Sequence, residues 1–180
     1  MELNTRRLNA RIIRIPGESS VTVCIEALGM KPATKGSYRV ISGKSRRQPG
    51  LTVSRLIPDN KMEKTWRDFI CLAVSRLGAI PKFGRDYAVA TSEDYYLVRP
   101  KSVKESARED PNVKPDIDKL IRATHDALTD SGLIADDSII CSTNATKTYV
   151  ESLDKAGVML TIECYPNTKK RKTKNAKPGI

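Results

Sequence analysis

The segment KPDIDKLIRATHDALTDSGLIADD, Lys114 to Asp137, gathers Asp116, Asp118, Asp136 and Asp137 into one short stretch of a chain whose net charge is +11. Carboxylates crowded in space repel one another, and one of them titrates high unless a cation sits among them. Oxygen donors of this kind suit a hard divalent cation, which can activate a bound water and polarise the oxygens of an anionic group. Helix capping is the competing explanation. Pro115 disfavours helical geometry at Lys114, so a helix starts at or after Pro115, with Asp116 as its N-cap and Asp118 in its first turn. A carboxylate there gains roughly 0.3–1 kcal/mol from the helix dipole. Capping accounts for Asp116 and Asp118 but not for Asp136 and Asp137. A helix of about 16 residues spans about 24 Å. The two acidic pairs therefore meet only through a particular tertiary arrangement or across a dimer interface, and spacing alone leaves both explanations open.

The rest of the composition points to a polyanionic partner. There are 32 Lys and Arg against 21 Asp and Glu, with a pI near 9.6. Small proteins this basic are drawn to nucleic acid above all. The segment Gly29–Gly50 holds Lys31, Lys35, Arg39, Lys44, Arg46 and Arg47 with no acid and a single aromatic, Tyr38. It is expected either to be a solvated loop or to follow a phosphate backbone. Cys24, Cys71, Cys141 and Cys164 form no CxxC pair, and the lone His125 is near none of them. A zinc ribbon would need tight pairs, so free thiols are the expected reading. Each cysteine is expected to be a reduced, small, buried apolar residue. No apolar run approaches the ~20 residues of a membrane span, and no apolar stretch follows Arg6, Arg7, Arg11 and Arg14 as a secretory signal would require. A soluble, cytoplasmic protein with no membrane partner is expected.

These side chains need elements to hold them. Residues 1–18 read as a polar, basic extension with a short ordered piece at Ala10–Ile15, residues 19–166 as the folded domain, and residues 167–180 as a mobile basic tail. SVTVCIEAL, Ser20–Leu28, alternates as a half-buried strand. A loop with a short strand near Tyr38–Ile41 follows. Met62, Trp66, Phe69, Ile70, Ala73, Val74 and Leu77 recur at helical spacing between an Asp59 or Asn60 cap and Gly78. Asp86–Pro100 is rich in strand formers, with a bulge or turn expected at Ser92-Glu93-Asp94. A second helix covers Asp116–Ser131 and ends at Gly132. Two strands follow, the second with an apolar centre at Val158–Ile162. The fold class is α/β of the α+β type, a two-layer sandwich with a mixed sheet and helices packed on one face.

The acidic stretch is similar to the core motif of the RusA family of Holliday-junction resolvases, crossover-junction endodeoxyribonucleases of bacteria and phages. Asp116-Ile117-Asp118-Lys119 resembles the family's first acidic segment, with Arg122 at the position of its lysine. Asp126-Ala127-Leu128 follows in register, and Asp136-Asp137-Ser138-Ile139-Ile140 closes the motif without a gap. Upstream, KPATKGSYR looks like the family's N-terminal Pro, Lys-Gly and Arg segment, and the resemblance runs from about Val21 to Cys164. Lys119 replaces the usual Asn, Arg122 the usual Lys, and Ile139 a common Gln. The resemblance implies catalytic roles for Asp116, Asp118 and Asp137, with Asp136 as a less certain neighbour in the metal site. Arg122 is implied as a phosphate- or transition-state-neutralising cation, unlike a compact, proton-donating lysine. Lys119 is a substitute cation beside the DNA. The resemblance also implies Mg²⁺ as cofactor, branched DNA as substrate, DNA recombination and repair as the setting, and a homodimer whose two sites match the near two-fold symmetry of a four-way junction. Two other classes compete. A non-catalytic basic DNA-binding protein of the same fold would use the aspartates as caps and surface charge. A basic ribosomal or packaging protein would show no acidic cluster in space. His125 is expected to be a packed or surface residue outside the site.

Overall fold

The alternation in SVTVCIEAL forms a strand because one of its two faces is buried. In the computed structural model, which describes residues 7–36, 38–44, 47–48, 50–58, 60–104 and 110–167, this strand is β2, Val21–Leu28. Its Val23, Ile25 and Ala27 are buried. Beside it lies β1, Leu8–Ile13, which pairs antiparallel with β2 along its whole length. Leu8 is buried, and Ala10 and Ile12 pack against the core. The segment from Leu8 therefore belongs to the sheet rather than to an extension. Asn9 and Arg11 alternate with Leu8, Ala10 and Ile12, a period-two pattern only six residues long that Ile13 interrupts.

Next come β3, Tyr38–Lys44, and β4, Thr52–Pro58, a hairpin that pairs with nothing else. The short strand expected near Tyr38–Ile41 extends to Lys44, and β4 lies beyond Gly50, where the sequence suggested no element. The first helix, α1, runs Glu63–Val74 and continues as a 3-10 turn, Ser75–Leu77, to Gly78. It buries Trp66, Phe69, Ile70, Ala73 and Val74 on one stripe, and each large apolar side chain so buried contributes about 1.5–3 kcal/mol. Asn60 steers its entry: the Met62 amide donates to Asn60 Oδ1 at 3.0 Å.

Strand β5, Tyr87–Val98, runs straight through Ser92-Glu93-Asp94 with no turn. Glu93 is buried there, because it finds donors inside, whereas Asp94 lies toward the other face and accepts from Thr146 at 2.6 Å. After α2, Ile117–Asp130, come β6, Ile140–Val150, and β7, Gly157–Pro166. The five-stranded sheet has the order β1-β2-β7-β5-β6, antiparallel except for the β5–β6 pair. Both helices pack on the face carrying Val23, Ile25, Val89, Tyr95, Leu160 and Ile162, forming one core. This is the expected two-layer α+β sandwich with a mixed sheet. At Gly157, φ is +152°, and a Cβ there would stand 2.0 Å from the carbonyl oxygen of Ala27. Only glycine lets β7 begin this close to β2.

All four cysteines are free thiols. Cys164 is buried, and burial pushes its thiol up to about 12. Cys141 is exposed on β6 rather than buried, because that strand forms an edge of the sheet. Among the described residues, no helix is long and apolar enough to cross a membrane.

Candidate active site and nucleic-acid interface

Asp116 is the N-cap residue of α2 by its extended backbone, with φ −69° and ψ 135°, but its side chain makes no capping hydrogen bond. The capping explanation therefore does not use up this carboxylate. Asp118 follows in the first turn, and both are exposed. Lys119 reaches back to Asp116 Oδ2 at 3.5 Å. Arg122 is exposed one turn further along the helix. Around this helix start, Lys35, Gly36, Asn60, Lys114, Asp116 and Lys119 line an open cavity of about 560 Å³. With Thr34 and Pro115 the lining counts eight residues, three of them lysines, so an anionic group entering here meets positive charge with a carboxylate beside it.

Hydrogen bonds hold the cavity's walls together. The Lys35 amide donates to the Lys119 carbonyl at 3.0 Å. The Gly36 amide donates to the buried Glu63 carboxylate at 2.9 Å. Asn60 Nδ2 donates to the Thr34 carbonyl at 2.9 Å. Lys35 Nζ sits 2.6 Å from Asp126 Oδ2, so its charge is engaged by α2 rather than pointing free toward a phosphate. Arg67 joins the same network through Asp126 at 4.0 Å, Glu63 at 3.9 Å and a closer contact with Asp130. Asp130 raises the already high Arg67 pKa further against the opposing effect of burial. The sequence offered Asn60 only as a helix cap and Asp126 only as part of the motif, and gave no sign that Glu63 joins them at this cavity wall.

The other acidic pair stands elsewhere. Asp136 caps the 3-10 turn Asp137–Ile139, its Oδ1 accepting from the Ser138 amide at 2.9 Å. Bonds from Ser138, aided by Arg85, hold the Asp136 carboxyl below the usual carboxylate range. Asp137 is exposed at the start of β6. Lys147, seven residues along that strand from Ile140, donates to the carbonyls of Pro115 at 3.0 Å and Val113 at 3.2 Å. The start of α2 thus lies near the end of β6. At about 3.3 Å per residue, Ile140 and Lys147 are about 23 Å apart, so Asp137 lies at the end of β6 away from Asp116 and Asp118. Among the described residues, no three His, Cys, Asp or Glu side chains form a group able to hold a metal ion. By donor chemistry, Asp116, Asp118 and Asp137 suit a hard divalent cation; by position, one chain supplies them from two separate places.

Of the cationic loop, Lys31 and Lys44 are exposed. Arg39 occupies the β3 position opposite Ile57, and Arg47 is exposed in the turn between β3 and β4. Arg46 and the basic tail after Asn167 lie outside the described residues.

His125 stays out of the cavity. Its Nε2 lies 2.7 Å from Glu93 Oε1, beneath the helix, where Glu93 is fully buried. Thr91 Oγ1 donates to the same oxygen at 3.1 Å, Tyr95 donates to the other, and Tyr95 also reaches Thr124 at 2.8 Å. Burial and the Glu93 charge push the Tyr95 phenol far above its usual range, so it remains a donor.

Comparison with curated proteins finds no match. The family model described as endodeoxyribonuclease RusA matches residues 41–163, a span that includes both acidic pairs, both helices and strands β4 to β6. That span exceeds half of the 180 residues, and it joins the acidic helix start to a sheet of the expected mixed kind: the chain belongs to the RusA family of endodeoxyribonucleases.

Proposed function

We propose that the protein is a Mg²⁺-dependent, structure-selective endonuclease that resolves Holliday junctions by paired phosphodiester hydrolysis, as a cytoplasmic homodimer serving DNA recombination and repair. One observation carries this reading. Within a RusA-family domain, exposed Asp116 at the start of α2 lines a lysine-bearing open cavity, with exposed Asp118 two residues along the same helix. Lys114 and Lys119 would draw the phosphate in, and Asp116 and Asp118 would hold the cation beside it. Bound Mg²⁺, or Mn²⁺ in its place, would supply an activated water and charge neutralisation at the phosphorus. Arg122, exposed on the same helix, would neutralise phosphate charge without donating a proton readily.

The position of Asp137 supports the homodimer reading. Strand β6 is an edge strand whose Cys141–Asn144 segment is exposed. An exposed edge is a template for pairing with another chain. Two copies of β6 paired antiparallel near Ser142 would set the start of one beside the end of the other. Asp137 of each copy would then approach the other's Asp116 and Asp118, completing the acidic set twice, with two-fold symmetry.

Cleavage of a synthetic four-way junction, with linear duplex as control, tests the reading. Symmetric nicking that needs Mg²⁺, stops in EDTA and is lost in Asp118→Asn is the expected result. A second reading is a non-catalytic DNA-binding protein of the same fold, favoured by the separation of the acidic pairs within one chain. Tight junction binding without cleavage under any divalent metal would establish it instead.

A further inference from the structure

The β3–β4 hairpin is the only pair of described strands left outside the main sheet. A lone two-stranded hairpin is marginally stable in water, yet this one displays aliphatic side chains to solvent. Val40 is 63% exposed, Ile41 45% and Val53 40%. Successive residues of a strand face opposite ways. Ile41 and Val53 therefore share one face, where Val53 pairs with Gly43, and Val40 lies on the other. Residues 38–58 carry Arg39, Lys44, Arg46, Arg47 and Arg55 and no Asp or Glu. Both ends of the ribbon are rooted at the cavity that holds Asp116: Gly36 on Glu63 before β3, and Asn60 on Thr34 after β4. Gly36 permits the join, since a Cβ there would stand 2.8 Å from the Asn60 nitrogen. Seven-residue strands reach about 23 Å from that root.

We infer that this ribbon senses the branch point of the DNA, its cations following the phosphates while Ile41, Val53 and Val40 press against bases unstacked at the junction. The inference rests on the nuclease reading given above. Phosphate contacts alone cannot tell branched from linear DNA, because both offer the same backbone. A two-stranded ribbon fits a major groove, and aliphatic side chains occupy unstacked base steps. Apolar groups on both faces suit an element placed between separating strands. The occupant is DNA rather than the ribbon of a second copy, because two such ribbons would set cations against cations.

The test compares wild type with Val40→Ser/Ile41→Ser/Val53→Ser and with a triple leucine variant at the same positions. Affinities for a four-way junction and for linear duplex are measured in EDTA, with 2-aminopurine at the branch point reporting unstacking. The serine variant should lose about tenfold in junction affinity and the 2-aminopurine signal, with duplex affinity changed less than about twofold; the leucine variant should keep both. A serine variant that keeps the wild-type preference and signal would overturn the inference. So would a change in its oligomeric state without DNA, which would assign the ribbon to a second copy. Wild-type protein showing neither junction preference nor cleavage would overturn the nuclease reading, and the ribbon's role with it.

Discussion

Adjacent aspartates in this chain do different work. Asp136 is committed to the Ser138 amide, whereas Asp137 is exposed beside it. Because the Asp136 pKa is depressed in the fold, its contribution to stability is fully present above the unfolded carboxyl pKa, about pH 4, and is lost as pH falls through the lower folded value. Thermal melts of Asp136→Ala against wild type should therefore show a gap near neutrality that closes on acidification. A gap that stays constant into acid would sink this assignment. Glu93 is a residue of another kind, a carboxylate with 0% exposure held by His125, Thr91 and Tyr95 under α2. Gln would turn one acceptor oxygen into a donor among donors in a dry site. Glu93→Gln should lose about 1–3 kcal/mol in urea titration, the cost of leaving buried polar groups unsatisfied. A loss below about 1 kcal/mol would mean that water or a rearranged network replaces the carboxylate.

Elements meet at backbones as well as at side chains. The start of β7 is pressed against the end of β2, with the Ala27 carbonyl where a Gly157 side chain would be. Gly157→Ala should destabilise by more than about 3 kcal/mol, since strand pairing must yield and φ is unfavourable for alanine. Near-wild-type stability in that variant would show that the two strands separate at little cost. Helix α2 carries the site on its first turn and the packing on its other face, through Leu120, Ala123, Thr124, Ala127 and Leu128. Lys35, in the segment that precedes β3, is tied to α2 at the Lys119 carbonyl and the Asp126 carboxylate.

At the scale of the molecule, the question is whether one chain or two make an active site. Mixing refolded Asp118→Asn and Asp137→Asn subunits distinguishes them. Random pairing makes half of the dimers mixed. If each site draws its aspartates from both chains, a mixed dimer has one intact site, and about a quarter of wild-type nicking returns, as single nicks. If each chain makes its own site, every site carries one substitution and the mixture remains as dead as its parts. Charge is also divided at this scale. The sheet face turned away from the helices bears Glu26, Asp94 and Glu163 with Arg11 among them, whereas lysines gather at the cavity beside the start of α2.

Much of this protein was legible in its sequence, because local periodicity and donor chemistry are properties of spacing. The stripe from Trp66 to Val74, the alternation of β2, the helix after Pro115 and the family motif from Asp116 to Ile140 could all be read from neighbours in the chain. Tertiary structure alone decided what depends on distant partners. It drew Leu8–Ile13 into the sheet, because an edge of β2 was open to them. It turned Glu93 inward, because His125 and Tyr95 meet it from a helix and from its own strand. It engaged Lys35 with Asp126, and left β3 and β4 outside the sheet. It also put Asp116 and Asp137 at opposite ends of β6, since the direction of one strand beside one helix fixes that separation, and sequence distance carries no information about direction.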